Sequence, residues 1–197
     1  MKAFHRLTAR VAVLDRTDVD TDQVIPKQFL KRIERTGYGQ FLFHDWAKDP
    51  GFELARPEFE GARILLAGRN FACGSSREHA AWALQDAGFD VVVAPSFGDI
   101  FRTNALKIGL LPVVLPAEEV RSLMAACGDG GELTVDLERL EVRAPDGRVL
   151  EFELGDFERM RLLEGLDDIG LTLRYEAQIA AYERSHASRV DTGALVS

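Results

Sequence analysis

Apolar residues in the middle of the chain form three short runs, separated by two segments with helical spacing. The runs cover 62–68, 90–96 and 110–116, and the helical segments cover 77–88 and 97–109. Apolar runs of this length are typical of strands that are buried on both faces. Because strands that alternate with helices pair in parallel through right-handed crossovers, we predict an α/β fold with a parallel βαβαβ core.

The flanking residues follow other patterns. Residues 10–15 alternate like a short strand, and glycines and prolines interrupt residues 29–61, which predicts short helices and turns. Residues 132–154 alternate around a Pro-Asp-Gly turn, which predicts a β-hairpin or meander. Helical spacing over 155–166 and 172–186 predicts added C-terminal helices.

The length and composition indicate one folded unit. A chain of 197 residues supports one substantial core, so we expect a single domain over 1–197. Residues 187–197 have little to anchor them and are expected to form a flexible tail. No apolar run approaches the roughly 18 to 20 residues of a membrane span, and the first ten residues lack a signal-peptide pattern. We therefore expect a cytoplasmic protein.

The net charge and the positions of the Cys and His residues argue against two kinds of ligand, nucleic acid and metal. The formal net charge of -8 disfavours nucleic acid as a partner, because an acidic surface repels phosphates. The two cysteines and four histidines are scattered, whereas a zinc site or iron–sulfur cluster needs three or four grouped ligands. We therefore expect no metal or cofactor to be bound by this chain.

The segment GRNFACGSSREH at 68–79 joins the first buried strand to the helix that follows. Ligands of α/β sheets collect at the carboxyl ends of parallel strands, near helix N-termini. Gly74 allows close backbone approach, Ser75 and Ser76 add hydroxyl groups, and the planar fork of Arg77 matches a carboxylate. This segment is therefore a candidate anion site.

A purely structural interpretation explains part of the same segment. Ser75 followed by Glu78 fits a capping box, which would start a helix near Ser75 without any ligand. A capping box does not explain Ser76 or Arg77. The local sequence is equally consistent with an anion site and with a capped helix start. His79 lies one helical turn from the serines and is positioned to brace them. Cys73 ranks below the serines as a nucleophile, since no histidine follows at a spacing that guarantees a base.

The acidic stretch DVDTDQ places Asp18, Asp20 and Asp22 at alternate positions. It fails as an EF-hand, which needs Gly and Glu where this chain has Gln23 and Phe29. Two interpretations remain. One is a magnesium site, and the other is that Asp20 or Asp22 fixes the geometry of the loop that follows.

That loop combines apolar and cationic side chains, which suit an anionic substrate with an alkyl group. Its apolar members are Phe29 and Leu30, and its cations are Lys27, Lys31 and Arg32.

Four blocks taken together resemble one enzyme family. They are DVDTDQVIP, GRNFACGSSREHAAWAL, APSFGDIFRTNALKIGLLPV and GLDDIGLTL, and they resemble the small subunit of 3-isopropylmalate dehydratase. GSSREH is specific to the aconitase superfamily, while the other blocks indicate this member. The resemblance runs in order from the N-terminal strand to about residue 186.

The resemblance implies a swivelling β/β/α domain like the fourth domain of aconitase. It also implies a hydro-lyase that is active only as a heterodimer with a large subunit, which carries a four-iron four-sulfur cluster. Such a pair interconverts 2-isopropylmalate and 3-isopropylmalate through 2-isopropylmaleate in leucine biosynthesis.

The resemblance also implies roles for single residues. Ser75 falls on the serine that acts as general base, and Ser76 and Arg77 fall on groups that bind a substrate carboxylate. The loop with Phe29, Leu30 and Lys31 falls on the segment that faces the variable substituent of the substrate. Expected structural support comes from Asp20, Asp22, Gly74, Glu78 and His79.

Two departures from the family pattern keep alternatives open. Ala72 stands where Gly is expected, and Ile108 stands where relatives often carry a polar residue. A related hydro-lyase for a methylmalate or homoaconitate type of substrate remains an alternative. A stand-alone anion-binding module is another, although no dinucleotide or P-loop glycine pattern follows a strand.

Overall fold

The structure is a computed structural model that describes residues 1–31, 35–74 and 77–186. Within these ranges the strands are β1 (Arg6–Leu14), β2 (Ile64–Ala67), β3 (Val91–Ala94), β4 (Leu111–Val114), β5 (Glu132–Asp136), β6 (Glu141–Arg143) and β7 (Val149–Glu151). The helices are α1 (Thr21–Val24), α2 (His79–Asp86), α3 (Asp99–Ile108), α4 (Ala117–Cys127), α5 (Asp156–Glu164), α6 (Asp168–Leu173) and α7 (Glu176–Ser185). Short 3-10 turns occupy much of the stretch between α1 and β2.

The described strands form one mixed sheet in the order β4-β3-β2-β1-β5-β6-β7. Strands β1 to β4 pair in parallel, with Ile64 of β2 opposite both Val11 of β1 and Val91 of β3. Strands β5, β6 and β7 continue the sheet as an antiparallel meander that begins on the other side of β1. The predicted parallel core and the predicted meander are both confirmed.

Strand β2 shows why the apolar runs are continuous. Leu65 and Ala67 face one hydrophobic cluster, which also contains residues of α2, α3 and the 3-10 turns. Ile64 and Leu66 face the opposite cluster, which contains residues of α4, α5 and the meander. All four side chains are fully buried. Because both faces of the strand are covered, alternate polar residues are absent, as in other parallel sheets.

The start of α2 differs from the prediction. The helix begins at His79, and Glu78 is its N-cap without a side-chain capping bond. The Glu78 carbonyl accepts from the backbone N–H of Trp82 at 3.1 Å. A Ser75 capping box requires Glu78 at the third helical position, so that prediction is wrong. Ser75 and Ser76 themselves lie outside the described residues.

A capping box does occur in the acidic stretch DVDTDQ. The side chain of Asp20 accepts from the Gln23 backbone N–H at 2.8 Å, and the Gln23 side chain accepts from the Asp20 N–H at 2.8 Å. This reciprocal pair begins α1, because it satisfies two backbone donors that the first turn leaves free.

Three further differences concern helix and strand boundaries. β1 begins at Arg6, four residues before the predicted strand, and residues 172–186 form the end of α6 and a separate α7. Helix α4 was not predicted, although it buries four apolar residues against the sheet, Val120, Leu123, Met124 and Cys127. The predicted flexible tail at 187–197 lies outside the described residues. Within the described residues, no helix is long and apolar enough to cross a membrane.

Candidate functional site

The turn after β2 is fixed beside the turn after β3, at the carboxyl ends of two parallel strands. The Phe71 N–H donates to the Ser96 carbonyl at 3.0 Å, and the Gly98 N–H donates to the Phe71 carbonyl at 2.9 Å. The side-chain oxygen of Ser96 accepts from the Asn70 N–H at 2.9 Å. A Cβ atom on Gly98 would lie only 2.7 Å from the Ala72 carbonyl oxygen. The two turns are therefore in backbone contact, and the sheet sets their position.

The acidic stretch lies along the turn after β2 and is hydrogen-bonded to it. The Cys73 N–H donates to the Val19 carbonyl at 3.0 Å, and the Cys73 carbonyl accepts from the Thr21 N–H at 3.0 Å. In addition, the Asn70 side-chain amide donates to the Asp18 carboxylate at 2.8 Å. Backbone and side chain thus join the two segments that the sequence predicted to be functional.

The backbone of the turn alternates into the left-handed region. The φ angles of Asn70, Ala72 and Gly74 are 58°, 54° and 88°. A non-glycine residue in this region stores of order 1 kcal/mol or more, and such residues cluster at active sites and ligand clamps. Ala72, where the sequence pattern favours Gly, keeps its methyl group buried at 1% exposure. The surrounding hydrogen bonds therefore stabilise a left-handed backbone conformation that an alanine by itself disfavours.

Arg77 follows this turn and pairs with Asp22. Nη1 of Arg77 contacts Oδ1 of Asp22, and 24% of the Arg77 side chain is exposed. Asp22 belongs to α1, which Asp20 caps. The structure therefore brings together three of the predicted residues, because Asp20 starts the helix from which Asp22 reaches Arg77. A guanidinium has five N–H donors, so one ion pair leaves donors free for a substrate carboxylate.

His79 belongs to an aromatic group at the start of α2. Its ring centroid lies 4.7 Å from that of Trp82 and 5.2 Å from that of Tyr38. Burial lowers the pKa of His79 below its ordinary value, and the neighbouring Glu78 carboxylate only partly opposes this effect. The imidazole is therefore neutral at neutral pH. Its predicted role as a brace for the serines stays a prediction.

The predicted substituent loop is a 3-10 turn, Lys27–Lys31. The Phe29 ring stacks on Phe41 with 4.1 Å between centroids and meets the edge of His44 at 4.8 Å. Leu30 is half-buried against the same core cluster, while Lys31 is exposed. The structure thus shows how these side chains pack, and their substrate roles stay predictions. Arg32 lies outside the described residues.

A cleft of about 850 Å³ opens beside the turn after β2, and sequence reasoning missed it. Its lining includes Arg69, Ser96 and Arg102, from the ends of β2 and β3 and from α3. The Nε atom of Arg102 is buried without a hydrogen-bond partner among the described residues. The sequence did contain a signal for this cleft, because Arg69 and Ser96 each lie two residues after a buried parallel strand.

The thiols and other metal-binding side chains are dispersed. Cys73 is half-buried in the turn after β2, whereas Cys127 is buried under the sheet, where burial raises its thiol pKa to about 11. Among residues 1–31, 35–74 and 77–186, no three His, Cys, Asp or Glu side chains are grouped to hold a metal ion. The side chains of the described residues therefore do not fit an iron–sulfur cluster.

The mixed sheet and the braced turn belong to the aconitase type of C-terminal domain. A family model for the aconitase C-terminal domain matches residues 1–118. A model described as LeuD_N matches residues 121–156, and one for the C-terminal domain of the 3-isopropylmalate dehydratase small subunit matches residues 168–189. The chain belongs to the family of 3-isopropylmalate dehydratase small subunits, which confirms the resemblance drawn from the sequence.

Named relatives span nearly all of the chain. It is 57% identical over 196 residues to a 3-isopropylmalate dehydratase small subunit of Parafrankia sp., covering 98% of this chain and 100% of the relative. It is 55% identical to the protein of the same name from Geobacillus kaustophilus, covering 96% and 100%. A crystal structure of 3-isopropylmalate dehydratase from Methanocaldococcus jannaschii matches with a TM-score of 0.68 and 28% identity, covering 89% of this chain and 99% of that chain.

Proposed function

We propose that this chain is the small subunit of a 3-isopropylmalate dehydratase, and that the turn after β2 contributes half of the active site. Full-length similarity to small subunits of that name supports the activity. The observation that carries the site is the pairing of Arg77 with Asp22 beside a strained turn at the carboxyl end of β2. An oriented guanidinium at this position suits a dicarboxylate substrate.

In this proposal Arg77 binds one substrate carboxylate through two parallel N–H donors, together with the hydroxyl group of Ser76. Asp22 keeps the guanidinium oriented, so less rotamer freedom is lost when substrate binds. Arg77 is used in preference to a lysine because its planar fork matches the two oxygens of a carboxylate.

Ser75 acts as the general base in the same proposal. The ionised Ser75 accepts a proton from one substrate carbon, and the hydroxyl group leaves the neighbouring carbon as hydroxide, which gives 2-isopropylmaleate. A proton from solvent converts the hydroxide to water, and release of the serine proton to solvent restores the base. Addition of water with the opposite placement of proton and hydroxyl gives the isomeric isopropylmalate. A serine must be ionised to accept that proton, and the positive charge of Arg77, two residues further along the chain, favours the ionised form.

The partner in this proposal is a large subunit that brings a four-iron four-sulfur cluster. The described residues of this chain group no ligands for a cluster, and the relatives are named as small subunits. When bound, that cluster supplies the Lewis acid that assists departure of the hydroxyl group. This chain supplies the base and a carboxylate-binding arginine.

The substituent on the substrate is assigned to the 3-10 turn Lys27–Lys31. Phe29 and Leu30 offer apolar surface that suits an isopropyl group, and their packing on the core holds them in place. Lys31 is exposed and adds positive charge that favours an anionic substrate.

Reconstitution with the cluster-bearing subunit tests the function. The chain is mixed with that partner and assayed with 2-isopropylmalate, a methylmalate and a homoaconitate type of substrate. We expect no turnover from either protein alone and the highest kcat/KM for isopropylmalate from the mixture. Preference for either of the other substrates would assign the chain to that related hydro-lyase, and turnover by the isolated chain would contradict the two-subunit site.

A further inference from the structure

The C-terminal helices expose a group of large apolar side chains. Six of those that are exposed in the described residues lie between 157 and 182, with exposures from 39% to 71%. We call this group the C-terminal apolar surface, and its members are Phe157, Ile169, Leu173, Tyr175, Ile179 and Tyr182. Single exposed apolar residues are normal, but a concentration of this kind on consecutive helices marks a contact surface.

Helix α7 is the clearest part of this surface. Tyr175, Ile179 and Tyr182 follow each other at spacings of four and three, which places them on one face of the helix. No residue of α7 is buried against the described part of the chain. A ten-residue helix is marginally stable alone in water, so burial of this face would supply stability that the helix otherwise lacks.

The surface is attached to the body of the protein through polar contacts. Arg161 of α5 pairs with Asp168 of α6 at 2.8 Å, and Arg174 after α6 pairs with Glu164 of α5. Arg174 also lies 3.7 Å from the sulfur of Met160. These pairs connect the start of α6 and the residue that follows α6 to α5.

The size of the surface suits a contact between two proteins. Six side chains of these types at these exposures present apolar area on the order of 500 Å². A standard interface buries about 800 Å² on each partner, so this surface would supply most of its apolar part.

The family models place most of the surface in a region that is described for the small subunit. The aconitase-type match ends at residue 118, whereas residues 168–189 match a model that is specific to the small subunit. Five of the six members of the C-terminal apolar surface lie in that second range. A swivel domain that is a separate chain has to hold its catalytic partner by surface contacts alone.

We propose that the C-terminal apolar surface docks on the large, cluster-bearing subunit. This proposal rests on the proposed function, since it takes its partner from that assignment. It adds a contact region on the C-terminal helices, apart from the turn that faces the substrate.

Charge substitutions on α7 test the docking. Ile179→Glu and Tyr182→Glu place a carboxylate on the apolar face, and Ala177→Glu adds the same charge to an exposed position on the opposite face. The Kd for the large subunit is measured by titration, and kcat is measured with that partner at saturation. We expect a Kd at least tenfold higher for both face variants, a kcat within twofold of the unmodified chain, and no change for Ala177→Glu.

The outcomes separate docking from function. An unchanged Kd in both face variants, with far-UV circular dichroism unchanged, would overturn the docking proposal. Sedimentation of the isolated chain adds a second readout, because loss of a homodimer with an unchanged Kd for the large subunit would assign the surface to self-association instead. If the unmodified pair binds tightly but does not turn over isopropylmalate, the proposed function fails while the docking result stands.

Discussion

The guanidinium of Arg77 pairs with the carboxylate of Asp22, and this contact joins the turn after β2 to α1. Asp22 is half exposed, so the pair lies at the surface and contributes at most about 1 kcal/mol to folding. Its importance is therefore orientation of the arginine and not stability.

Replacement of Asp22 by Asn tests this orienting role. Asp22→Asn removes the ion pair but leaves Arg77 charged, so we expect KM to rise about three- to tenfold with kcat unchanged, or roughly 0.6 to 1.4 kcal/mol of binding. The melting temperature is expected to stay within about 4 °C. Asp45→Asn, which breaks an exposed pair with Lys48, serves as the control and should leave KM unchanged. A kcat defect without a KM change in Asp22→Asn would contradict the orienting role.

Replacement of Arg77 by Lys keeps the charge but removes the planar fork. Loss of bidentate carboxylate binding is expected to raise KM at least about tenfold in the reconstituted enzyme. Arg63→Lys, which alters the exposed pair with Asp90, is the matched control. Steady-state kinetics measure both variants, and equal KM values in the two would contradict carboxylate binding by Arg77.

A methyl group at Gly98 is expected to disturb the contact between the two turns. The added Cβ would lie 2.7 Å from the Ala72 carbonyl oxygen and 2.9 Å from the Cα of Cys73. We expect Gly98→Ala to lower the free energy of unfolding by about 1 to 3 kcal/mol. At Gly51 the nearest atom, of the flexible Asp49 side chain, is 3.4 Å away, so Gly51→Ala should change stability by less than about 0.5 kcal/mol. Urea unfolding distinguishes them, and equal stabilities would show that the turns separate easily.

The neutral state of His79 predicts a pH dependence of stability. Burial lowers the pKa of His79 in the folded protein below its ordinary value of 6.5. The unfolded chain therefore binds the proton first as pH falls, so stability is intact above pH 6.5 and decreases from there down to the folded pKa. The urea midpoint should fall less between about pH 7.5 and 5.5 in His79→Gln than in the unmodified chain. His186→Gln is the control, and a fall in His79→Gln equal to that of the unmodified chain would contradict the assignment.

The two thiols are expected to differ in reactivity. Burial raises the pKa of Cys127 to about 11, so its thiolate fraction at pH 7 is about 10⁻⁴. Cys73 is half-buried and lies in the turn beside Arg77. Alkylation by iodoacetamide, followed by mass spectrometry of peptides, should modify Cys73 first. Faster labelling of Cys127 would show that α4 opens more readily than its packing indicates.

The parallel core was predictable because its chemistry is local. Strands β2 and β3 are fully buried and β4 is buried except at Val114, so each appears in the sequence as an apolar run. Gly109, with φ of 92°, follows α3 at the end of the predicted helical segment 97–109. By contrast, the antiparallel pairing of β1 with β5 joins residues 122 to 130 positions apart, which no local pattern specifies.

The sequence of α4 contains a helical pattern of apolar residues from which no helix was predicted. Val120, Leu123, Met124 and Cys127 recur at helical spacing and are all buried. The two capping boxes show a different limit. Ser75 with Glu78 and Asp20 with Gln23 both match the pattern. The Asp20–Gln23 box begins α1, whereas α2 begins at His79 with Glu78 as its N-cap.

The candidate site was predictable in its residue types but not in its contacts. The sequence indicated Arg77 and the acidic stretch separately, and the pairing of Asp22 with Arg77 required the fold, because parallel strands bring residues 22 and 77 to one edge. Arg102, whose Nε atom is buried at the cleft, was missed, since its position depends on how α3 packs.

Turnover by Ser75→Ala in the reconstituted enzyme tests the central claim most directly. The variant is titrated with the cluster-bearing partner to confirm normal assembly, and isomerisation of isopropylmalate is then measured at saturating substrate. With the base removed, kcat is predicted to fall by about 10²- to 10⁴-fold while the Kd between subunits stays unchanged. Retention of the unmodified kcat in a fully assembled Ser75→Ala enzyme would contradict the claim that the turn after β2 supplies the general base.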